Sequence, residues 1–336
     1  MKTFSIGVDL GGTNLRIAAV DEKGALVERV TLDTKISLGR DRVLDDMCDA
    51  IRLIAEKYRN AAPLQGIGIG VPGIIDLQTG MVREAVNLPG WVDYPVRAEI
   101  ERRLQTMVIL ENDANVAALG EKWLGAAKDF SDMAMLTLGT GVGGGLVLRD
   151  AIWHGVNGMA AEFGHMTVEP EGQLCKCGNR GCLEQYASAT AVVRMAREAA
   201  AGNHESALAR AVSADPQFSA ETVYFLAARG DEDARRIFRN VGRCLGILLA
   251  SLVYALNLPV YVIGGGLASA WEAFSATMFE ELRRRSLVYA AFAPNDAATT
   301  GKVASGQPTI VTRALLGSDA GLYGAARLPM IAGPKC

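Results

Sequence analysis

The stretch Phe4-Ser5-Ile6-Gly7-Val8-Asp9-Leu10-Gly11-Gly12-Thr13-Asn14 runs from a short apolar strand straight into a glycine turn. Without side chains at Gly11 and Gly12, backbone N–H groups can approach phosphate oxygens, and the Thr13 hydroxyl adds a donor. Asp9 stands where a carboxylate can hold Mg²⁺ through water. The stretch lacks the Walker A spacing and the GxGxxG spacing of dinucleotide-binding turns, so both of those phosphate-binding architectures lose their main support.

Working outward, Phe4 to Val8, Leu15 to Val20 and Leu26 to Thr31 are predicted as three short strands, separated by the Gly11-Gly12-Thr13 turn and by Asp21-Glu22-Lys23-Gly24. Residues 41–59 are predicted as a helix, with Val43, Leu44, Met47, Ile51, Ile54 and Tyr58 at helical spacing. A buried strand, Ile67 to Val71, ends at Pro72-Gly73, and another, Met107 to Leu110, leads into a helix opening near Asn112. The second half repeats this grammar. Met133 to Leu138 is a strand, Gly139-Thr140-Gly141 is its turn, and Gly145 to Leu148 returns. A long helix, Ala234 to Asn257, then precedes a buried strand, Val260 to Ile263, and the break Gly264-Gly265-Gly266. Mixed α/β chains reuse strand-turn-strand units, and glycine is a common turn residue. Thr in both turns, each after a buried strand, nevertheless favours two related lobes that each offer a phosphate loop. The expected division is 1–120 and 121–316, with a last helix at about 317–330 returning to the first lobe.

Glu111-Asn112-Asp113-Ala114-Asn115 lies at a strand-to-helix junction, where Asn112 or Asp113 can cap the helix. A carboxylate in that place can also accept the proton of an attacking hydroxyl, and Asp113 is the candidate base, with Asn112 bonding a neighbouring hydroxyl. Glu162-Phe163-Gly164-His165 followed by Cys175-Lys176-Cys177-Gly178-Asn179-Arg180-Gly181-Cys182-Leu183-Glu184 supplies one imidazole and three thiols. Cys₃His is the full ligand set of a closed structural zinc site. The competing readings are reduced thiols, or one disulfide with a spare cysteine. His154 and His204 have no neighbours at metal spacing and are expected at the surface; Cys48 and Cys244 are expected in the core, and Cys336 free.

The 336 residues are enough for two lobes with a cleft between them, and half are apolar while about a fifth are charged. A net charge of −3, with both signs interspersed, offers no basic stripe for a nucleic acid. The N-terminal stretch has Asp9 inside it and lacks a signal-peptide core, and the apolar run Cys244 to Leu256 is short for a bilayer. The expected setting is the cytoplasm.

Asp9–Asn14, Val71-Pro72-Gly73, Glu111–Asn115, Leu138–Gly145, Glu162–His165, Cys175–Glu184 and Gly264–Gly266, in this order, resemble the ROK family of bacterial sugar kinases and repressors. The resemblance implies an α/β, two-lobed, actin-like or ribonuclease H-like fold of hexokinase type with a central cleft. It implies ATP-dependent phosphorylation of a hexose at its 6-hydroxyl, with glucose the expected acceptor. N-acetylmannosamine, N-acetylglucosamine or fructose remain alternative acceptors, and polyphosphate an alternative donor. By the same resemblance Asp113 is the base, and Gly73, Asn87, Asn112, Glu162, His165 and Glu184 line the sugar pocket. Asp9, Gly11, Gly12, Thr13, Asn14, Thr140, Gly141, Gly265 and Gly266 attend ATP and Mg²⁺. His165, Cys175, Cys177 and Cys182 hold a structural Zn²⁺, and a homodimer is expected. Ala161 departs from the pattern, since many glucokinases of the family carry Gly there. Repressors of the family place a DNA-binding helix-turn-helix ahead of the first strand; here that strand begins at residue 4, which favours the kinase expectation.

Overall fold

A computed structural model of the chain describes residues 1–85, 88–292 and 308–332. The described residues form two compact units. The first comprises Met1–Ser131, Gly145–Ala161 and the chain from Leu315 onward; the second comprises Asp132–Gly144 and Glu162–Ala314. Residue 120, the expected division point, lies within the helix Asp113–Trp123, and the first unit runs on past that helix to Ser131.

The first unit is built on β1 (Phe4–Leu10), β2 (Asn14–Asp21), β3 (Leu26–Asp33), β4 (Leu64–Val71) and β7 (Val108–Asn112), ordered β3-β2-β1-β4-β7. The first three form an antiparallel meander, and β4 and β7 continue the sheet parallel to β1. A hairpin of β5 (Ile74–Asp76) and β6 (Met81–Glu84) and the helix α2 (Val96–Leu104) intervene before β7. The alternation along β2 assigns its faces. Leu15, Ile17 and Ala19 join Val43, Leu44, Met47 and Ile51 of α1 (Arg40–Tyr58) in one core. On the opposite side Ala18 and Val20 meet Leu322 and Ala326 of the last helix, α11 (Ala320–Ala332). Helix α3 (Asp113–Trp123) lies beside α11, with Val116 and Leu119 against Ala325 and Leu328. Here backbone meets backbone. A Cβ at Gly68 would stand 2.0 Å from the Ala325 carbonyl oxygen, and one at Gly324 would stand 1.6 Å from that of Val116. Only glycine admits so close an approach.

The second sheet combines β8 (Met133–Leu138), β9 (Val142–Leu148), β10 (Ala151–Ile152), β11 (Val260–Gly264) and β12 (Ile310–Arg313) in the order β10-β9-β8-β11-β12. As in the first sheet, the leading strand is followed on its far side by two strands parallel to it. The repeated grammar of the sequence is thus a repeated strand order. The second unit holds α4 (Glu184–Ala187), α5 (Ala189–Gly202), α6 (Ala207–Ala214), α7 (Ala220–Ala228), α8 (Glu232–Leu256), α9 (Trp271–Arg285) and α10 (Leu287–Phe292). By length and composition α8 could cross a membrane, but Phe238, Val241, Leu245, Leu249 and Leu252 on it are buried in the fold. Its apolarity is that of a core helix.

Candidate functional site

In the first unit, β7 ends where α3 begins, and the residues at that junction bond to one another. Asn112 is the N-cap: its Oδ1 accepts the N–H groups of Ala114 at 2.9 Å and Asn115 at 3.2 Å. Its Nδ2 donates to the Gly73 carbonyl at 3.1 Å, so the amide is held from both ends. Asp113 is the first residue of the helix, and its Oδ1 accepts the Ala114 N–H at 2.9 Å. Thus the cap and the candidate base are adjacent but distinct residues. Beneath them Glu111 is buried, 4% exposed.

The first glycine turn is also tightly bound. Gly11 N–H donates to the Asn14 carbonyl at 2.9 Å, and the Thr34 hydroxyl donates to the Gly11 carbonyl at 2.7 Å. Asp9 faces Arg16 across the β1–β2 pair, with Arg16 Nη1 3.1 Å from Asp9 Oδ2. Burial pushes the Asp9 carboxyl above its ordinary pKa; Arg16 opposes the shift, and the neighbouring Asp319 adds to it.

In the second unit β11 lies parallel to β8, with Gly264 opposite Thr137, so the Gly264–Gly266 break comes beside the Gly139–Gly141 turn. Gly139 N–H donates to the Gly141 carbonyl at 2.9 Å, and Thr190 Oγ1 donates to the Thr140 carbonyl at 2.7 Å. Thr140 opens onto a cavity of about 710 Å³ lined also by Thr190, Arg194, Arg197, Phe218 and Ser219. That volume is in the range of small-molecule sites. None of the α5 or α7 lining residues belongs to a motif, and the sequence reading passed over them.

The cysteine loop follows the same turn. Glu184 opens α4, and its Oε2 accepts the Val142 N–H at 2.9 Å, which ties the loop's end to the β8–β9 turn. The donor atoms of His165, Cys175, Cys177 and Cys182 all lie within 4.8 Å of one another. His165 Nδ1 is 3.7 Å from Cys175 Sγ, and Cys177 Sγ is 3.7 Å from Cys182 Sγ. Donors about 2.3 Å from a tetrahedral zinc are separated by roughly 3.8 Å, so these four fit the ion. Asn179 Nδ2 and Gln185 Nε2 direct N–H groups at Cys182 Sγ and Cys175 Sγ, at 3.5 and 3.6 Å, as outer partners of thiolates do. Gly181 makes the loop possible: at φ 69° its Cβ position would be 1.6 Å from the Glu169 carbonyl oxygen. Because His165 turns Nδ1 toward the sulfurs, its Nε2 is left for a different partner. Glu162 stands next to this group; partial burial raises its carboxyl pKa, His165 lowers it, and Glu184 raises it further.

Among the expected site residues, Asn87 lies outside the described residues. Asp9, Gly11, Gly12, Thr13, Asn14, Gly73, Asn112 and Asp113 are in the first unit. Thr140, Gly141, Glu162, His165, Glu184, Gly265, Gly266 and the three cysteines are in the second. Cys48 and Cys244 are buried as expected, and His204 is exposed. His154, expected at the surface, is half-buried, and its Nε2 lies 2.7 Å from Glu111 Oε2. Ala161, the departure from the family pattern, has φ 68°, a left-handed conformation that costs alanine about 1 kcal/mol and glycine almost nothing.

This chain belongs to the ROK family, whose profile matches residues 5–330. It is 38% identical to a glucokinase of Halalkalibacterium halodurans over 95% of this chain and 92% of that one. A ROK hexokinase from Thermus thermophilus is similar in structure, with a TM-score of 0.78 and 33% identity over 98% of this chain and all of the other. So is a ROK family glucokinase from Streptomyces griseus in complex with glucose and AMPPNP, with a TM-score of 0.78 and 33% identity over 97% of this chain and 98% of that one.

Proposed function

We propose that the protein is a glucokinase, transferring the γ-phosphoryl group of ATP to the 6-hydroxyl of D-glucose. The observation that carries this reading is Asp113 as the first residue of α3, with its neighbour Asn112 clamped between the helix and Gly73. Support comes from the glucokinase likeness over nearly the whole chain and from the glucose and AMPPNP bound by the Streptomyces relative.

In this reading Asp113 accepts the proton of the attacking hydroxyl and orients its oxygen in line with the γ-phosphorus. The Asn112 amide, already oriented, offers its second Nδ2 hydrogen to a neighbouring hydroxyl. Glu162, Glu184 and His165 Nε2 fix further hydroxyls. Backbone N–H groups of the Gly11–Asn14 and Gly139–Gly141 turns hold phosphate oxygens, and the cavity beside Thr140 takes the nucleoside. Mg²⁺, when bound near Asp9, neutralises charge on the transferring group. Zinc on His165, Cys175, Cys177 and Cys182 is structural, since the four donors leave no position for water. The two units are the two lobes of the kinase, which we further place in the cytoplasm as a homodimer.

A coupled ADP-release assay with Mg²⁺-ATP or polyphosphate, across glucose, fructose, N-acetylmannosamine and N-acetylglucosamine, tests the reading. Glucose with ATP is expected to give the highest kcat/KM; turnover of no sugar with either donor removes the kinase assignment. Asp113→Asn should lower kcat by about 10²–10⁴ while calorimetry still registers glucose binding.

A further inference from the structure

We propose that His154 is a positioning residue for phosphoryl transfer, acting through Glu111 on the N-terminus of α3; this rests on the reading of Asp113 as the base. Glu111 sits on β7 one residue before the cap. Its Oε1 accepts the Asn112 N–H at 2.9 Å and Asn115 Nδ2 at 2.9 Å, while Oε2 faces His154 Nε2 at 2.7 Å. Among the described residues, His154 is the ion-pair partner recorded for this carboxylate. A buried carboxylate without a donor on one oxygen is costly, so the imidazole Nε2 keeps its proton toward Glu111. Glu111 in turn raises the pKa of His154, chiefly through that hydrogen bond.

The pair bears directly on the acceptor site. Oε1 fixes the backbone of Asn112, whose side chain both starts α3 and holds Gly73, and Asp113 is the next residue. Asn115, also bound by Glu111, lies in the first turn of the same helix. His154 is delivered by the β9–β10 hairpin: Trp153 N–H donates to the Leu146 carbonyl at 2.7 Å, and the His154 carbonyl accepts from Ala160 at 3.1 Å. The hairpin reaches α3 because residue 145 is glycine, where a Cβ would lie 2.5 Å from that of Ala118. An imidazole 43 residues from Glu111 in sequence thereby braces the turn that carries the base.

The test is steady-state kinetics of the full chain with glucose and Mg²⁺-ATP, together with thermal melts, for His154→Ala, His154→Gln and Glu111→Gln. Misplacing reacting groups by about 1 Å can cost roughly 10²-fold, so His154→Ala should lose about 10- to 100-fold in kcat with KM for ATP unchanged. His154→Gln, whose amide N–H can still donate to Glu111, should recover most of that loss. The double variant His154→Ala/Glu111→Gln should be no slower than the slower single one, as for two residues acting as one unit. With an active wild type, a kcat within twofold of wild type for His154→Ala overturns the inference. So do equal losses for His154→Ala and His154→Gln when both melts show a folded protein. If His154→Ala does not fold, the comparison of His154→Gln with Glu111→Gln decides, and a His154→Gln as slow as Glu111→Gln overturns the inference. A wild type that phosphorylates no sugar overturns the functional reading and this inference together.

Discussion

Replacing Asp9 with Asn should make the protein more stable and less active. Two opposing effects act on this carboxylate. Arg16 at 3.1 Å is a partly buried ion pair, 24% and 17% exposed, and such a contact is worth about 1 kcal/mol at most. Desolvation of an ion costs several kcal/mol, and the Asp319 carboxylate adds repulsion. The upward pKa shift says that the second effect wins: relative to the unfolded chain, the fold prefers this group neutral. Its contribution to stability is therefore fully present below the unfolded-state value, about 4, and is lost as pH rises through the folded-state pKa. A neutral isostere avoids that loss and should gain about 0.5–2 kcal/mol at pH 8, with each kcal/mol worth about 2–4 °C in Tm for a unit of this size. Calorimetric melts of wild type and Asp9→Asn between pH 4 and pH 8, without nucleotide, are the assay. The gap should be widest at pH 8 and close toward pH 4, while turnover of the variant falls. A variant that melts lower than wild type at pH 8 would refute the reasoning, for it would make the Arg16 pair the larger effect.

Metal analysis should find one zinc per chain; its removal by a chelator, or Cys182→Ser, should raise the KM for glucose by about 10- to 100-fold and lower Tm, since the cysteine loop positions Glu184 and His165. A metal-free protein with unchanged KM would count against that role. Gly324→Ala places a Cβ 1.6 Å from the Val116 carbonyl oxygen, and chemical denaturation should show a loss of about 1–3 kcal/mol or more as α11 moves off α3. A loss under 0.5 kcal/mol would mean that the helices separate freely.

What the sequence disclosed depended on how local each signal was. Strand β1 and the glycine turn that follows it are contiguous, and His165, Cys175, Cys177 and Cys182, whose donor atoms the fold gathers within 4.8 Å, fall within 18 residues, so residue type and spacing pointed to both. The repeated strand order was legible because each sheet is laid down in the same sequence of strand, turn and strand. The Glu111–His154 pair was not, since its members share no periodicity and meet only after β9 and β10 fold over α3. The same tertiary event assigns residues 145–161 to the first unit. The lining of the Thr140 cavity was hidden for another reason: Arg194, Arg197 and Phe218 look like ordinary helix and loop residues until α5 and the start of α7 face one another.

Helix α11 belongs to the first unit, although the chain reaches it only after the whole second unit has been laid down. During synthesis, sheet β3-β2-β1-β4-β7 and α3 emerge early, yet the face formed by Ala18, Val20, Val116 and Leu119 has no cover until α11 arrives. Assembly on the ribosome should therefore run against chain order, with the second unit able to complete its core first. The nascent first half must wait with apolar surface open, an interval in which a holding chaperone has something to bind. A stalled or truncated chain ending before Ala320 would leave that face bare for good, so quality control of this protein is expected to turn on its last helix.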